Sequence, residues 1–228
     1  MIKRVQRVLK KLLGFKPTKF DATGERVDIV FNNEIDFETL DMYQKSHFRR
    51  YEFATKLLND NEACGDFACG TGYGSVMLSK KAKNVIGADL NDQVIKAVKK
   101  RYRRVNNVEF IHANLLNLKY EHYFDKIFSF ETVEHFSEND ILSVLKIFHR
   151  ALKPGGSFVF STPYLQEKSD AAIKLGHHQT FYIDEQKIEQ WLVATGFTLK
   201  EYYYQNYDTH DIEVDLSHRD FIICVAVK

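Results

Sequence analysis

Two carboxylates and an imidazole fall within five positions of FETVEHF, residues 130–136. On a helix, Glu131, Glu134 and His135 would share one face, because side chains three and four positions apart are neighbours there. An imidazole beside a carboxylate can take a proton from a reacting group. The same groups can bind a divalent cation, or they can simply form a polar link between two elements.

The residues after this segment carry a helix-start signal. Ser137 stands three positions before Asp140 and precedes an apolar run, a pattern typical of a capped helix that begins near residue 138. FETVEHF is therefore predicted to be the link between a strand over 124–130 and that helix.

A glycine-rich turn is the second chemical signal. In DFACGTGYGS, residues 66–75, Gly70 and Gly72 permit a tight turn and close approach of the backbone to a ligand. Unpaired amides at the start of the following helix favour an anionic group. The dinucleotide-binding pattern G-x-G-x-x-G is matched only imperfectly, because Ser75 takes the third glycine position.

Strand-like and helix-like segments alternate around these two signals, which predicts a mostly parallel sheet covered on both faces. The predicted strands are 63–68, 84–89, 108–112, 124–130 and 156–161, followed by a closing antiparallel pair at 197–204 and 219–227. Asp89, Asn114 and Glu131 stand at or just after the carboxyl ends of three strands, where an open α/β sheet has its crevice. A carboxylate at Asp89 can accept two ribose hydroxyls, and the amide of Asn114 can pair with an adenine edge.

Five segments together resemble the class I S-adenosylmethionine-dependent methyltransferases: DFACGTGYGS, GADL, HANLL, FDKIFSFETVEHF and LKPGGSFVFSTP. The resemblance implies an α/β fold, a Rossmann-like three-layer sandwich with a seven-stranded, mostly parallel sheet and an antiparallel last strand. It implies S-adenosylmethionine as cofactor and S-adenosylhomocysteine as product. The catalytic domain would span 41–228, behind an N-terminal helix and connecting segment over 1–40.

The resemblance also assigns the cofactor site. Asp89 would hold the ribose, Asn114 and Leu115 would meet adenine, and the turn around Gly70 would line the methionine part. The expected cofactor-binding residues are Arg50, Asp66, Ala68, Gly70, Thr71, Gly72, Asp89, Leu90, Asn114, Leu115 and Glu131.

A finer resemblance concerns ATGER (22–26), HFRRYEFA (47–54), FETVEHF and STP with a later histidine. These segments look like a bacterial subgroup associated with polysaccharide and glycan biosynthesis, which implies O-methylation of a saccharide hydroxyl. By analogy with related O-methyltransferases, Arg50 or Arg49 would pair with the cofactor carboxylate. Two alternatives stay open: a small-molecule or RNA 2′-O-methyltransferase with a divalent metal, and a non-catalytic cofactor-binding partner in a glycan-assembly complex.

The expected catalytic residues are His135 as the base, Glu134 beside it, and His178 in the downstream GHHQTFY. Small-RNA 2′-O-methyltransferases and ubiquinone-pathway O-methyltransferases look similar at Glu-x-x-Glu-His, and in the former such residues bind a cation. Glu131, Glu134, His135 and His177 or His178 could therefore hold Mn²⁺, Mg²⁺ or Zn²⁺. Catalysis by His135 without a metal is the preferred interpretation.

Composition sets the remaining expectations. The net charge is +1, which argues against a nucleic-acid partner, yet residues 1–20 carry seven basic side chains and no acidic one. The amphipathic stretch 1–15 could lie on an anionic membrane, dock on a partner enzyme, bind nucleic acid, or be a solvated helix packed on the core, and the last is the preferred interpretation. Three cysteines are too few for a disulfide framework, which favours a reducing cytoplasm.

Overall fold

The computed structural model describes residues 26–31, 35–174 and 177–228. The basic stretch predicted to be helical, 1–15, lies outside these residues, so that expectation and the proposed boundary after residue 40 stay predictions. Every predicted strand is present in the described part. The strands are β1 Ala63–Phe67, β2 Asn84–Asp89, β3 Val108–His112, β4 Phe124–Phe130, β5 Leu152–Pro163, β6 Thr198–Gln205, β7 Ile212–Glu213 and β8 Phe221–Val227.

The helices begin where the sequence offers capping side chains. Ser137 accepts a hydrogen bond from the Asp140 amide at the start of one helix, and Asp41 forms a capping box with Gln44 at the start of another. Because Ser137 ends the link after β4, the cap fixes where FETVEHF stops. The helices are α1 Met42–Leu57, α2 Tyr73–Leu78, α3 Asp92–Arg101, α4 Glu138–Ala151, α5 Asp170–Lys174 and α6 Glu185–Thr195.

The strands form one sheet in the order β3-β2-β1-β4-β5-β8-β6-β7. Pairs from β3 to β5 are parallel, while β8 runs antiparallel to both β5 and β6. The predicted class and the antiparallel closing pair are confirmed. The strand count is eight rather than seven, because two residues of the connection between β6 and β8 pair with the β6 edge as β7.

Helices cover both faces of the sheet. On one face, α4 and α6 pack through residues such as Phe148 and Trp191. On the other, α1 and α2 pack through Tyr51 and Met77, and α3 adds a smaller cluster around Val98. In the described part of the chain, no helix combines the length and the apolar character that a bilayer span requires.

A stretch before α1, residues 26–31, crosses the outer side of α2 and α3, and we call it the N-terminal strap. The Thr71 hydroxyl donates to the Val27 carbonyl at 2.9 Å, and Ile29 is buried. Asp28 forms a bidentate ion pair with Arg101 at the end of α3. The strap therefore lies beside the glycine-rich turn and belongs to the surroundings of the predicted site.

Candidate functional site

The turn between β1 and α2 requires left-handed backbone at three positions. Ala68, Gly70 and Gly72 have φ angles of 63°, 53° and 74°. A Cβ at Gly72 would lie 2.5 Å from Val98 Cγ1 and 2.7 Å from the Phe110 ring. The second glycine is therefore needed both for its conformation and for the close packing of α3 and β3 against the turn.

Asp66 lies under this turn, with its carboxylate fully buried. It accepts hydrogen bonds from the Tyr51 hydroxyl at 3.0 Å and the Ser75 hydroxyl at 2.6 Å. Burial raises the pKa of Asp66 to about 6, although both hydroxyls oppose the shift. Asp66 thus joins β1 to α1 and α2, and its predicted contact with the cofactor stays a prediction.

Asp89, at the end of β2, has its carboxylate at the mouth of the same turn. One oxygen accepts the Gly70 amide at 3.0 Å; the other accepts the Asn91 amide at 2.9 Å and lies 3.3 Å from the Arg26 guanidinium. The Arg26 side chain also passes over Gly70, with Cδ 4.0 Å from where a Cβ would stand. Asp89 is 5 % exposed, so this acidic group is almost enclosed.

The predicted adenine residues, Asn114 and Leu115, follow β3, and Leu90, which was predicted only to bind the cofactor, follows β2. Asn114 is exposed and caps a short 3-10 turn, Leu115–Asn117, by accepting the Leu116 amide at 2.9 Å. Leu115 is buried, whereas Leu90 is 66 % exposed beside the acidic Asp89. A large apolar side chain exposed at this edge can pack against a flat apolar ring.

Arg50, predicted to meet the cofactor carboxylate, is completely buried. Its Nε donates to Gln205 Oε1 at 2.7 Å, and its guanidinium stacks on the Phe221 ring at 4.1 Å. Its Nη1 lies 3.3 Å from Glu131 Oε1, yet among the described residues this atom has no partner in hydrogen-bond geometry. Arg50 therefore retains a buried donor on the side of Glu131.

FETVEHF is the link after β4, as predicted, but it does not form one helical face. Glu131 has a left-handed φ of 51°, and only Val133–His135 forms a short 3-10 turn. A non-glycine residue in this conformation costs about 1–2 kcal/mol, and such strain concentrates at functional sites. Glu131 consequently turns away to pair with Arg50 and Ser161, while Glu134 and His135 face the downstream segment.

Glu134 is buried, and one of its oxygens accepts the Thr162 hydroxyl at 3.1 Å. The other, Oε1, has no hydrogen-bond partner within the described ranges. Burial and the nearby Glu131 raise the pKa of Glu134 well above its usual range. Burial lowers the pKa of the half-buried His135, which favours the neutral imidazole that can act as a base.

His178 is brought to this pair by the segment after α5. The His135 and His178 rings meet edge to face, with centroids 4.9 Å apart. His178 Nδ1 lies 2.5 Å from Gln166 Oε1, and an N–H there leaves the lone pair on Nε2. Main-chain bonds from Gln179 and Thr180 to the Glu134 carbonyl fix the approach of the two segments.

These side chains form a candidate cation site with fewer members than the sequence suggested. One donor atom each from Glu134, His135 and His178 lies within 4.8 Å of the others. Glu131 is held instead by Arg50 and Ser161, and His177 is exposed. One carboxylate and two imidazoles suit a first-row divalent cation, and an Nδ1 bond such as that to Gln166 commonly orients a metal-binding histidine.

Four observations fit S-adenosylmethionine in the crevice. Asp89 offers an almost enclosed carboxylate, Gly70 leaves room over the turn, Leu90 is an exposed apolar contact, and Arg50 keeps a buried donor. The strand order and this site together resemble those of the class I S-adenosylmethionine-dependent methyltransferases.

Comparison with known proteins supports this class. Residues 65–160 match the family model described as a methyltransferase domain. An S-adenosylmethionine-dependent methyltransferase from Mesorhizobium loti has a similar fold, with a TM-score of 0.68, 15 % identity, and coverage of 82 % of this chain and all of that one. The fold is thus shared across widely divergent sequences.

Two relatives illustrate how far acceptors differ at this level of identity. A demethylmenaquinone methyltransferase from Staphylococcus epidermidis is 29 % identical, over 62 % of this chain and 57 % of the relative. A malonyl-[acyl-carrier protein] O-methyltransferase from Priestia megaterium is 32 % identical, over 58 % of this chain and 49 % of the relative. The chain therefore spans about half the length of these relatives.

Three residues of the site were not foreseen from the sequence. Arg26 was noted only as part of ATGER, although it reaches Asp89, and Gln166 and Thr162 orient His178 and Glu134. Their roles arise from contacts across 12 to 63 positions of the chain. The available signals in the sequence were the segments ATGER and STP, which contain Arg26 and Thr162.

Proposed function

We propose that this chain transfers the methyl group of S-adenosylmethionine to a hydroxyl of a saccharide or glycan precursor. The observation that carries the proposal is the pair of imidazoles, His135 and His178, held edge to face at the link after β4. β1 lies between β2 and β4 in the sheet, so this link and Asp89 flank the glycine-rich turn on opposite sides.

The chemistry asks little of the protein beyond alignment and one proton transfer. When bound, S-adenosylmethionine supplies an electrophilic methyl group on a good leaving group. The protein has to align an acceptor oxygen with that methyl group and accept its proton. His135 is suited to the proton transfer because burial keeps its imidazole neutral near pH 7, and His178 lies close enough to bind the same acceptor hydroxyl.

A polar acceptor fits the polar character of this side of the site. Glu134, His135, His178 and Gln166 offer several hydrogen-bonding atoms close together, and a hydroxyl-rich ring can satisfy many donors and acceptors at once. The resemblance of ATGER and HFRRYEFA to a glycan-associated subgroup points the same way. The named relatives act on other acceptors, so the saccharide has to be tested directly.

The test combines cofactor binding with methyl transfer. Calorimetry with S-adenosylmethionine should give a Kd below about 100 µM. In a separate assay, labelled methyl groups should appear on members of a saccharide panel. His135→Gln should lower turnover about 100-fold or more while cofactor affinity stays unchanged. His218→Gln, at an exposed position, is the matched control and should keep full turnover. No cofactor binding by the wild type, or full turnover by His135→Gln, would contradict the proposal.

A second candidate is a metal-assisted hydroxyl methyltransferase, which the donor set of Glu134, His135 and His178 favours. Glu134 Oε1 is buried with no hydrogen-bond partner in the described part, as expected of an oxygen that awaits a cation. First-row cations bind such ligands at about 2.0–2.2 Å, so the three donors would have to close slightly around the ion. A bound cation would help the acceptor hydroxyl to lose its proton.

Titration with Mn²⁺ or Zn²⁺ separates the two candidates. On the metal-assisted mechanism, the wild type binds one ion, Glu134→Gln binds at least 10-fold more weakly, and the exposed control Glu138→Gln binds normally. Methyl transfer should stop in the presence of a chelator and return when the ion is restored. Activity that survives removal of all divalent metal would eliminate this candidate and leave His135 as a metal-free base.

A further inference from the structure

The N-terminal strap holds Arg26 over the ribose end of the predicted cofactor site. Two residues of the strap are anchored to the rest of the protein. The Val27 carbonyl accepts the Thr71 hydroxyl. The Asp28 carboxylate pairs with Arg101, and its main-chain carbonyl accepts the side-chain amide of Gln44 at 2.8 Å. Each anchor lies within two residues of Arg26. The position of the Arg26 backbone is therefore fixed, while its side chain, at the end of which lies the ion pair with Asp89, is 29 % exposed.

The hydrogen-bonding capacity of Asp89 is nearly filled. An ionised carboxylate has about four lone-pair positions. The Gly70 amide occupies one lone-pair position on Oδ2. The Asn91 amide and the Arg26 guanidinium occupy the two lone-pair positions on Oδ1. One position remains on Oδ2, whereas the two ribose hydroxyls need two.

Two of the three donors cannot leave without rebuilding the backbone. The Gly70 amide belongs to the left-handed turn, and the Asn91 amide directly precedes α3. The Arg26 guanidinium is the donor that can move, because its ion pair is partly exposed and rests on a flexible side chain. Binding of both ribose hydroxyls thus requires Arg26 to leave Oδ1.

We infer that Arg26 competes with the cofactor ribose for Asp89, and that its displacement and return set how tightly the nucleoside is held. The inference rests on the cofactor site of the proposed function. In the free protein Arg26 neutralises an almost enclosed carboxylate, and after methyl transfer its return to Asp89 favours release of S-adenosylhomocysteine. Arg26 is therefore a positioning residue that weakens nucleoside binding.

The first measurement is calorimetric affinity for S-adenosylhomocysteine in wild type, Arg26→Gln and Arg104→Gln. Exposed or partly exposed ion pairs contribute about 0.2–1 kcal/mol, so Arg26→Gln should bind about 1.4- to 5-fold more tightly. Arg104 is exposed on the loop after α3, and its replacement removes the same charge without changing affinity. The gain from Arg26→Gln should shrink between 50 mM and 500 mM salt, because salt screens the ion pair that it removes.

Nucleosides identify which contact Arg26 affects. Adenosine has both ribose hydroxyls and no methionine part, so Arg26→Gln should improve its binding by the same factor. 2′-Deoxyadenosine has one ribose hydroxyl and can use the remaining position on Asp89 Oδ2, so its binding should hardly change. Unchanged or weaker adenosine binding by Arg26→Gln overturns the inference. Weaker S-adenosylhomocysteine binding with unchanged adenosine binding also overturns it, and would make Arg26 a ligand of the methionine carboxylate.

Failure of the inference can be told from failure of the proposed function. If the wild type binds neither S-adenosylhomocysteine nor adenosine, the cofactor site itself is wrong. If the wild type binds both and Arg26→Gln binds them equally well, the site stands and the competition by Arg26 is refuted.

Discussion

The Arg50 guanidinium and the Glu131 carboxylate form an ion pair inside the protein, with Nη1 and Oε1 3.3 Å apart. Arg50 is 0 % exposed, and its other contacts are neutral: Gln205, Ser46 and the Phe221 ring. Burial raises the pKa of Glu131, while Arg50 opposes that shift. Glu131 is thus the carboxylate that balances a buried cation, in addition to its place at the start of the link after β4.

Glu131→Gln should destabilise the protein by about 3–5 kcal/mol, because it leaves Arg50 buried beside a neutral group. Urea denaturation at pH 7 measures the change in the free energy of unfolding. The exposed replacement Glu138→Gln is the control and should cost less than about 0.5 kcal/mol.

A second variant checks the cause. Arg50→Met together with Glu131→Gln should recover at least half of the loss, since both charges are then absent. A double variant as unstable as Glu131→Gln alone would show that the loss comes from Ser161 or the backbone instead.

Asp66→Asn should change how stability depends on pH. The pKa of Asp66 is about 6 in the folded protein against an ordinary 3.8, so the folded chain binds this proton more tightly than the unfolded chain. The stability that the proton gives is complete below pH 3.8 and is lost as the pH rises through about 6. Relative to Asp66→Asn, the wild type should therefore lose up to roughly 3 kcal/mol between pH 4 and pH 7.

Urea denaturation of both proteins at pH 4, 5, 6 and 7 measures this difference. Asp170→Asn, which changes an exposed carboxylate in α5, is measured at the same pH values as a control for the loss of a surface carboxylate. A constant difference for Asp66→Asn would mean that Asp66 has an ordinary pKa in the folded protein.

Gly72→Ala and Gly155→Ala form a matched pair. The two glycines have φ angles of 74° and 73°, but a Cβ at Gly155 would meet nothing within 4 Å, whereas one at Gly72 would clash with Val98 and Phe110. Gly155→Ala should lower the free energy of unfolding by about 1–2 kcal/mol, because of the backbone conformation alone. Gly72→Ala should lower it by about 1–3 kcal/mol more, because the new methyl group overpacks the site. Only Gly72→Ala should also weaken S-adenosylmethionine binding. If thermal or urea unfolding shows the same loss of stability for both variants, the predicted clash at Gly72 is contradicted.

The ion pair between Asp28 and Arg101 should couple the strap to α3. Both side chains are largely buried and the pair is bidentate, a geometry that favours a coupling energy above the 0.2–1 kcal/mol of exposed pairs. A double-mutant cycle with Asp28→Asn and Arg101→Gln measures it. The same cycle on Asp170 and Lys174, an exposed pair in α5, is the reference, and equal coupling in the two cycles would contradict the prediction.

The parts of the fold that were predicted from the sequence are those with local signals. Alternating apolar runs bounded by turns located β1 to β4, and the capping side chain of Ser137 located the start of α4 to the residue. β7 was missed because two residues carry no periodicity. The first part of β5 was missed because Pro154 and two glycines, Gly155 and Gly156, are typical of a turn.

The positions of the predicted site residues follow from the sequence where those residues lie at strand ends, whereas their side-chain contacts depend on the tertiary structure and were not foreseen. Asp89 and His135 follow from strand ends and the helix cap, because the sheet alone brings their backbones to one edge. The separation of Glu131 from Glu134 was not foreseen, because it depends on a left-handed residue and on Arg50. Periodicity carries no information on either.

The place of β8 has a consequence for how the protein is made. This strand follows the other seven strands of the sheet in the sequence, yet it pairs on both sides, with β5 and β6, and supplies Phe221 against Arg50. During synthesis at about 5–20 residues per second, α1 leaves the ribosome many seconds before Phe221 does. The burial of Arg50 can therefore be completed only after β8 has been synthesised and has paired with β5 and β6.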